Sequence, residues 1–292
     1  MARQLAFLGF GEAAQTFAGD PNWQAEAKGY DIKLNDPVLG PRKCAEFSAL
    51  NVADHHDNDA ALAGVPVVLS LVTADQAVTA AAQAAPHLSP QSLFLDMNSV
   101  APMRKKEAAD IIESAGAHYL DVAIMAPVQP AALGVPLLLS GTHAQAAEKA
   151  LKSFGFADLR TVGRNVGDAS TVKMIRSVMI KGIEALTAEC LMAAHAAGVV
   201  SDVLSSLGEG EAERANYNLE RMVVHGERRA AELEDVCATL ENLGIEPLMS
   251  MGTVAYQRSL SRQNNGNVPL ALDDKLALIA PSKSGTPYAA HH

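Results

Sequence analysis

The sequence is short of the residues that mark several common functional classes. Its three cysteines, Cys44, Cys190 and Cys237, are odd in number and far apart, which excludes a CxxC redox pair or a zinc knuckle and fits a reducing compartment. Basic residues are outnumbered, 23 Lys and Arg against 33 Asp and Glu, for a net charge of −10. Such a balance repels phosphate backbones and sets aside nucleic acid and anionic membrane as main partners. No long unbroken apolar span is present either. The uncharged stretch at residues 122–140 contains Pro127, Pro130 and Pro136, so no transmembrane helix is expected. At the N-terminus Arg3 precedes an apolar run that ends at Glu12, too short for a signal-peptide core, and a cytoplasmic location is the expectation. His55 and His56 lie in an acidic run, HHDND, without metal-ligand spacing, so no metal is expected. His291 and His292 read as a tag remnant without a role.

What remains is a packed globular composition, 49% hydrophobic and 19% charged, long enough for about two domains. The first half alternates short apolar runs with helical patterns, the rhythm of βαβ units and a parallel sheet. Strands are expected at residues 4–9, 31–35, 65–72, 92–96, 118–124 and 135–140, with helices at 102–115 and 143–154. After Gly163 the strand signals stop and Ala, Leu, Met and Glu-rich helical patterns take over. The predicted organisation is an α/β protein: a Rossmann-type parallel-sheet domain at 1–165, then an all-α domain at 166–292 for substrate and dimerisation. One long helix at 168–197 opens the second domain, Gly198 near its C-cap. Further helices are expected at 201–207, 211–243 with at least one break, and 247–262.

Gly9, Phe10, Gly11, Glu12, Ala13 and Ala14 form G-x-G-x-x-A between the first strand and a helix, the context a dinucleotide fingerprint needs. Glycine at 9 permits the tight turn, glycine at 11 admits a pyrophosphate to the backbone, and a small residue at 14 lets helix and strand pack. Glu12 is unhelpful to an anion, so its side chain must point away. Asp36, placed at the end of the second expected strand, offers a carboxylate to an adenosine ribose, which favours NAD without excluding NADP. It equally suits a turn before Pro37, and Arg42 and Lys43 lie close by.

GFGEAA, LDMNSVAP at residues 95–102, and Gly163 and Gly167 leading to Lys173 resemble, in order and spacing, the β-hydroxyacid dehydrogenases, which include 6-phosphogluconate and 3-hydroxyisobutyrate dehydrogenases. KMIRSVMIKGIEAL at 173–186 and HGERRAAELED at 225–235 resemble the C-terminal domain of a phosphogluconate-dehydrogenase-like subfamily. The resemblance implies that Leu71, Val72 and Thr73 line the cofactor, that Asn98 and Ser99 lie near nicotinamide and substrate, and that Lys173 is the acid/base. The family's D-x-P-V-S-G-G substrate loop is replaced by Asp121, Val122, Ala123, Ile124, Met125, Ala126 and Pro127, and its asparagine pair after the lysine by Arg176 and Ser177. Met125, Ala126, Arg176 and Ser177 become the candidate substrate contacts.

Lys173, Arg176, Ser177, Lys181 and Glu184 share one helix face. Because the flanking residues are apolar, this helix is expected to be largely buried with its charged stripe lining a cleft. Alcohol oxidation needs a base for the hydroxyl proton, which a lysine with a depressed pKa supplies, and the Arg176 fork suits a carboxylate. His225, Arg228, Arg229 and Glu232 form a second cluster that reads as a salt-bridged solvent face or part of a pocket. The leading expectation is an NAD(P)-dependent dehydrogenase, a homodimer acting on a small carboxylate-bearing hydroxy acid, with or without decarboxylation. An imine or ketone reductase on a bulkier apolar substrate and a non-catalytic nucleotide-binding protein are the alternatives.

Overall fold

The computed structural model describes residues 4–264 and 266–280; Arg3, His291 and His292 fall outside them. The chain divides between Lys173 and Met174 into two compact units.

In the first unit β1 (Gln4–Leu8), α1 (Glu12–Ala18), β2 (Glu26–Tyr30), α2 (Gly40–Ala49), β3 (Ala53–His55), α3 (Asn58–Leu62), β4 (Val67–Ser70) and α4 (Ala77–Ala84) come first. They are followed by β5 (Leu93–Asp96), α5 (Pro102–Ser114), β6 (His118–Ile124), β7 (Leu137–Ser140), α6 (Ala144–Phe154) and β8 (Leu159–Gly163). Among the described residues these strands make one sheet of order β3-β2-β1-β4-β5-β6-β7-β8, parallel except where β7 runs antiparallel to β6. Strand residues alternate between two cores. Leu5, Phe7, Leu69 and Leu95 pack with Phe17, Phe47 and Leu151 on one face, and Ala6, Val68, Phe94 and Tyr119 pack with Leu62, Ala81 and Ile112 on the other. A sheet covered on both faces explains why its strands read as continuous apolar runs.

The expected strand at residues 31–35 is corrected. Ile32–Asn35 is a 3-10 turn, and β2 lies just before it, paired in parallel with β1 from Gln4↔Glu26 to Leu8↔Tyr30. Gly29 is why this weak β-former wins: a Cβ there would stand 2.8 Å from the Phe7 carbonyl oxygen, so only glycine fits so close to β1 and Phe47. The short strands β3 and β8 were not expected from the sequence.

The second unit is helical. α7 (Asp168–Ala197) continues into it, followed by α8 (Val200–Leu207), α9 (Glu211–Asn242), α10 (Leu248–Ser261) and α11 (Leu272–Ile279). Ala188, Leu191, Leu219, Met222, Val223, Leu260 and Leu276 form its core. The expected break in the 211–243 segment does not occur. Gly226 sits where α9 meets α10, at a point where a Cβ would lie 2.2 Å from the Gln257 carbonyl oxygen, so the glycine serves close packing in an unbroken helix. Arg229 is buried against Glu184, with Gln257 Nε2 donating to the same carboxylate at 3.0 Å. No helix of the described residues is long and apolar enough to cross a membrane.

Candidate active site

One register row crosses the parallel sheet at its carboxyl edge: Tyr30, Leu8, Ser70, Asp96 and Asp121 are successive partners. The segments that leave this row carry the candidate site. Strand order reverses between β1 and β4, the position at which doubly wound sheets open a ligand crevice.

Gly9 follows β1 at φ +82°, and a Cβ there would lie 2.6 Å from the Leu71 carbonyl oxygen. Glycine is therefore required twice over, by backbone conformation and by the approach of the segment after β4. Gly11 is the N-cap of α1 with no side-chain cap, and a Cβ there would meet nothing within 4 Å. An uncapped helix start beside open space is what a pyrophosphate needs. Ala14 is fully buried, whereas Glu12 is exposed. The Phe10 ring is buried, stacked on Phe47 at 3.9 Å between centroids. Its peptide is held on both sides. The N–H donates to Asp31 Oδ2 at 2.8 Å, and the carbonyl accepts from Lys43 Nζ and Gln15 Nε2, each at 2.9 Å.

Asp31, not Asp36, directly follows β2. It is buried, and its Oδ1 also accepts the Lys33 N–H at 2.9 Å. Asp36 is exposed beyond the 3-10 turn, where the Leu39 and Val38 N–H groups cap onto its carboxylate and hold its pKa below the ordinary value. The sequence reading did not single out Asp31, although it lies twenty residues past Gly11, a spacing at which dinucleotide-binding folds place an acidic residue. Lys43 is engaged with the Phe10 carbonyl and Glu46, and Arg42 also pairs with Glu46. Leu71 and Val72 are half-buried beside Gly9, and Thr73 is exposed.

Beyond β5 a buried polar network organises the rest. The Lys105 ammonium, fully buried, donates to the Asp96 carbonyl at 2.7 Å and to Asp96 Oδ1 at 3.0 Å, and lies 3.5 Å from Asp121 Oδ1. Tyr119 donates its hydroxyl to Asp96 Oδ2 at 2.6 Å; burial and that carboxylate push its pKa well above the ordinary value. The Asn98 N–H donates to Asp96 Oδ1 at 2.9 Å, and its Nδ2 donates to Ser70 Oγ at 3.0 Å. Asn98 Oδ1 is buried without a donor among the described residues, so an incoming N–H or O–H would satisfy it. Ser99 is half-buried next to it. Asp121 receives the start of α7: Ser170 donates its N–H to Oδ2 at 2.8 Å and its hydroxyl to Oδ1 at 2.6 Å. Lys173 is one residue short of a turn further on and half-buried. Met125 packs with Ala123, Leu138 and Ala169 of that first turn, while Ala126 is exposed.

Further along α7 the expected burial is reversed. Val172, Ile175, Met179, Ile180, Ile183 and Leu186 are exposed by 38% to 63%. Lys181 and Glu184 are instead buried, paired with Glu232 at 3.0 Å and with Arg229. Desolvation lowers the Lys181 pKa against the pull of Glu232. Of the expected charged stripe, Arg176 is exposed and Ser177 half-buried. The second cluster is split: Arg228 makes an exposed pair with Glu232 at 2.9 Å, and Arg229 faces inward.

Residues 4–162, more than half of the chain, match the family described as the NAD binding domain of 6-phosphogluconate dehydrogenase, and residues 194–260 match a domain of unknown function, DUF1932. A conserved hypothetical protein from Sinorhizobium meliloti 1021 is 36% identical, with a TM-score of 0.79 and 96% of each chain covered. MTH1747, a conserved protein of unknown function described as structurally similar to 3-hydroxyacid dehydrogenases, is 30% identical, with a TM-score of 0.70 over 89% of this chain and 97% of that one. The fold is shared with the 3-hydroxyisobutyrate dehydrogenase of Mycobacterium tuberculosis at 16% identity, TM-score 0.72, over 95% and 99% of the two chains. The glycine loop, its uncapped helix and the carboxylate after β2 fit a nicotinamide dinucleotide, the cofactor of NAD(P)-dependent oxidoreductases. The chain belongs to the β-hydroxyacid dehydrogenase superfamily, its first half an NAD binding domain of the 6-phosphogluconate dehydrogenase type.

Proposed function

We propose that the protein is an NAD-dependent dehydrogenase that interconverts a hydroxyl and a carbonyl on a small carboxylic acid, with Lys173 as the acid/base. The observation that carries this reading is the register row, which sets Gly9, Leu71, Asn98 and, through Asp121 and Ser170, the first turn of α7 along one edge of one sheet.

In this reading Gly9 to Ala14 hold the pyrophosphate, Leu71, Val72 and Thr73 flank it, and Asp31 accepts from the adenosine ribose and repels a 2′-phosphate. Bound nicotinamide supplies a hydride acceptor or donor. Lys173 Nζ takes the hydroxyl proton during oxidation and returns it during reduction. Asn98 Oδ1, with its amide nitrogen committed to Ser70 Oγ, accepts a hydrogen bond from the cofactor or substrate. Arg176, three residues past Lys173 on α7, binds the substrate carboxylate through its planar fork. Met125 and Ala126 form the apolar wall, with Ser99 and Ser177 as polar neighbours. The working unit is a homodimer built on the exposed apolar stripe of α7.

The test is NAD⁺ reduction across a panel of hydroxy acids, followed by two variants on any substrate found. Lys173→Ala is expected to lower kcat by about 10² to 10⁴ with cofactor affinity retained. Arg176→Ala should raise KM for an acidic substrate far more than for its uncharged analogue. Near-normal kcat in Lys173→Ala with hydride transfer rate-limiting would place the acid/base elsewhere.

A further inference from the structure

The strongest unassigned constellation lies on α2 and β3. We propose that Cys44, Asp54 and His56 form a binding site for a divalent transition-metal cation of the zinc type. Asp54 is the middle residue of β3, His56 is the first residue after that strand, and Cys44 comes to them from α2. One sulfur, one carboxylate oxygen and one imidazole nitrogen all lie within 4.8 Å of one another, the one such trio among the described residues. Neither the chain order nor the HHDND run reveals it, because the sulfur ligand comes from another element.

A second feature orients the histidine. Asn35 Nδ2 donates to the His56 carbonyl oxygen at 2.9 Å, which turns Asn35 Oδ1 toward His56 Nδ1, 3.1 Å away. An imidazole that donates its Nδ1–H to the Asn35 side-chain oxygen keeps the Nε2 lone pair for a metal, the arrangement typical of liganding histidines. Thiolate, imidazole and carboxylate together suit Zn²⁺, whereas Mg²⁺ and Ca²⁺ prefer all-oxygen shells. Cys44 and Asp54 are half-buried and His56 is exposed, which leaves room for water as a fourth ligand. A thiol that becomes a thiolate ligand gives its proton to solvent, so affinity rises with pH. An ion here would tie β3 to the helix whose Lys43 holds the Phe10 carbonyl.

The test uses the full chain with His291→Ala and His292→Ala, stripped with a chelator and titrated with Co²⁺. The expected result is one equivalent bound, with a thiolate-to-cobalt charge-transfer band that Zn²⁺ displaces and that Cys44→Ser abolishes. Zn²⁺ should raise the thermal midpoint of the parent and not of Cys44→Ser. Asn35→Ala should weaken Co²⁺ binding by about tenfold or more. Absence of the charge-transfer band, or a band that survives in Cys44→Ser, overturns the proposal. Both readouts are independent of turnover, so their failure leaves the dehydrogenase reading intact.

Discussion

Asp121 caps the first turn of α7 through Ser170, whose hydroxyl donates at 2.6 Å and whose N–H donates at 2.8 Å. A carboxylate at a helix N-terminus satisfies an orphan donor and the helix dipole together. The same carboxylate lies 3.5 Å from the fully buried Lys105 ammonium, so one buried cation sits beside the carboxylate that receives the start of α7.

Lys105→Met removes the cation and leaves Asp96 and Asp121 as uncompensated buried charges. A loss of about 3–5 kcal/mol is expected, read from the shift of the urea midpoint at constant m-value. A shift under about 1 kcal/mol would show that the carboxylates are compensated by other groups.

Cofactor preference should follow Asp31. Asp31→Asn is expected to narrow the ratio of NAD to NADP affinity by about tenfold, or 1.4 kcal/mol, whereas Asp36→Ala should leave that ratio unchanged. Fluorescence titration with both cofactors decides it, and a ratio that moves only in Asp36→Ala refutes the assignment.

Stability should depend on pH through His118, whose ring stacks on His143 with 3.6 Å between centroids. Burial, then the His143 ring, lowers the His118 pKa against the opposing pull of Glu113. A histidine whose folded pKa is depressed binds protons more readily when unfolded. Its contribution is therefore complete above the unfolded value of about 6.5 and is lost as pH falls below it. Urea midpoints at pH 5 and 7.5 should differ less in His118→Gln than in the parent; an equal difference removes His118 as the cause.

The dimer prediction rests on the exposed α7 residues Ile175, Met179 and Ile183. Met179→Glu combined with Ile183→Glu should convert a dimer to a monomer in light scattering at micromolar concentration while leaving helical content unchanged. A parent that is already monomeric there defeats the proposal.

How much was legible in the sequence depended on whether the signal was local. Gly9, Gly11 and Ala14 stand in line after an apolar strand, so the loop could be read directly. β2 was misplaced because Ile32 and Leu34 look more strand-like than Ala27 and Gly29, and only the neighbouring β1 shows why glycine belongs there. Lys105 sits in the run MRKKE, which in isolation resembles a solvated helix face. Its burial between two carboxylates is a product of the tertiary fold. On α7, periodicity grouped Lys173, Arg176, Ser177, Lys181 and Glu184 on one face but assigned burial by hydrophobicity alone, and the structure divides that group between exposed Arg176 and buried Lys181 and Glu184. Arg229 and Glu232 of α9 take Glu184 and Lys181 inward and leave the apolar face uncovered.

The peptide of Phe10 also constrains how cofactor use could be redesigned. Because the Asp31 carboxylate receives the Phe10 N–H and the Lys33 N–H, replacing it in its proposed role at the ribose to admit a 2′-phosphate would also remove an acceptor that shapes the glycine loop. Changing preference at this site thus calls for a paired exchange: a neutral acceptor at position 31 and a separate cation nearby. A single replacement by an apolar side chain would trade selectivity for a loosened loop, and the route from one cofactor to the other is not a one-step path.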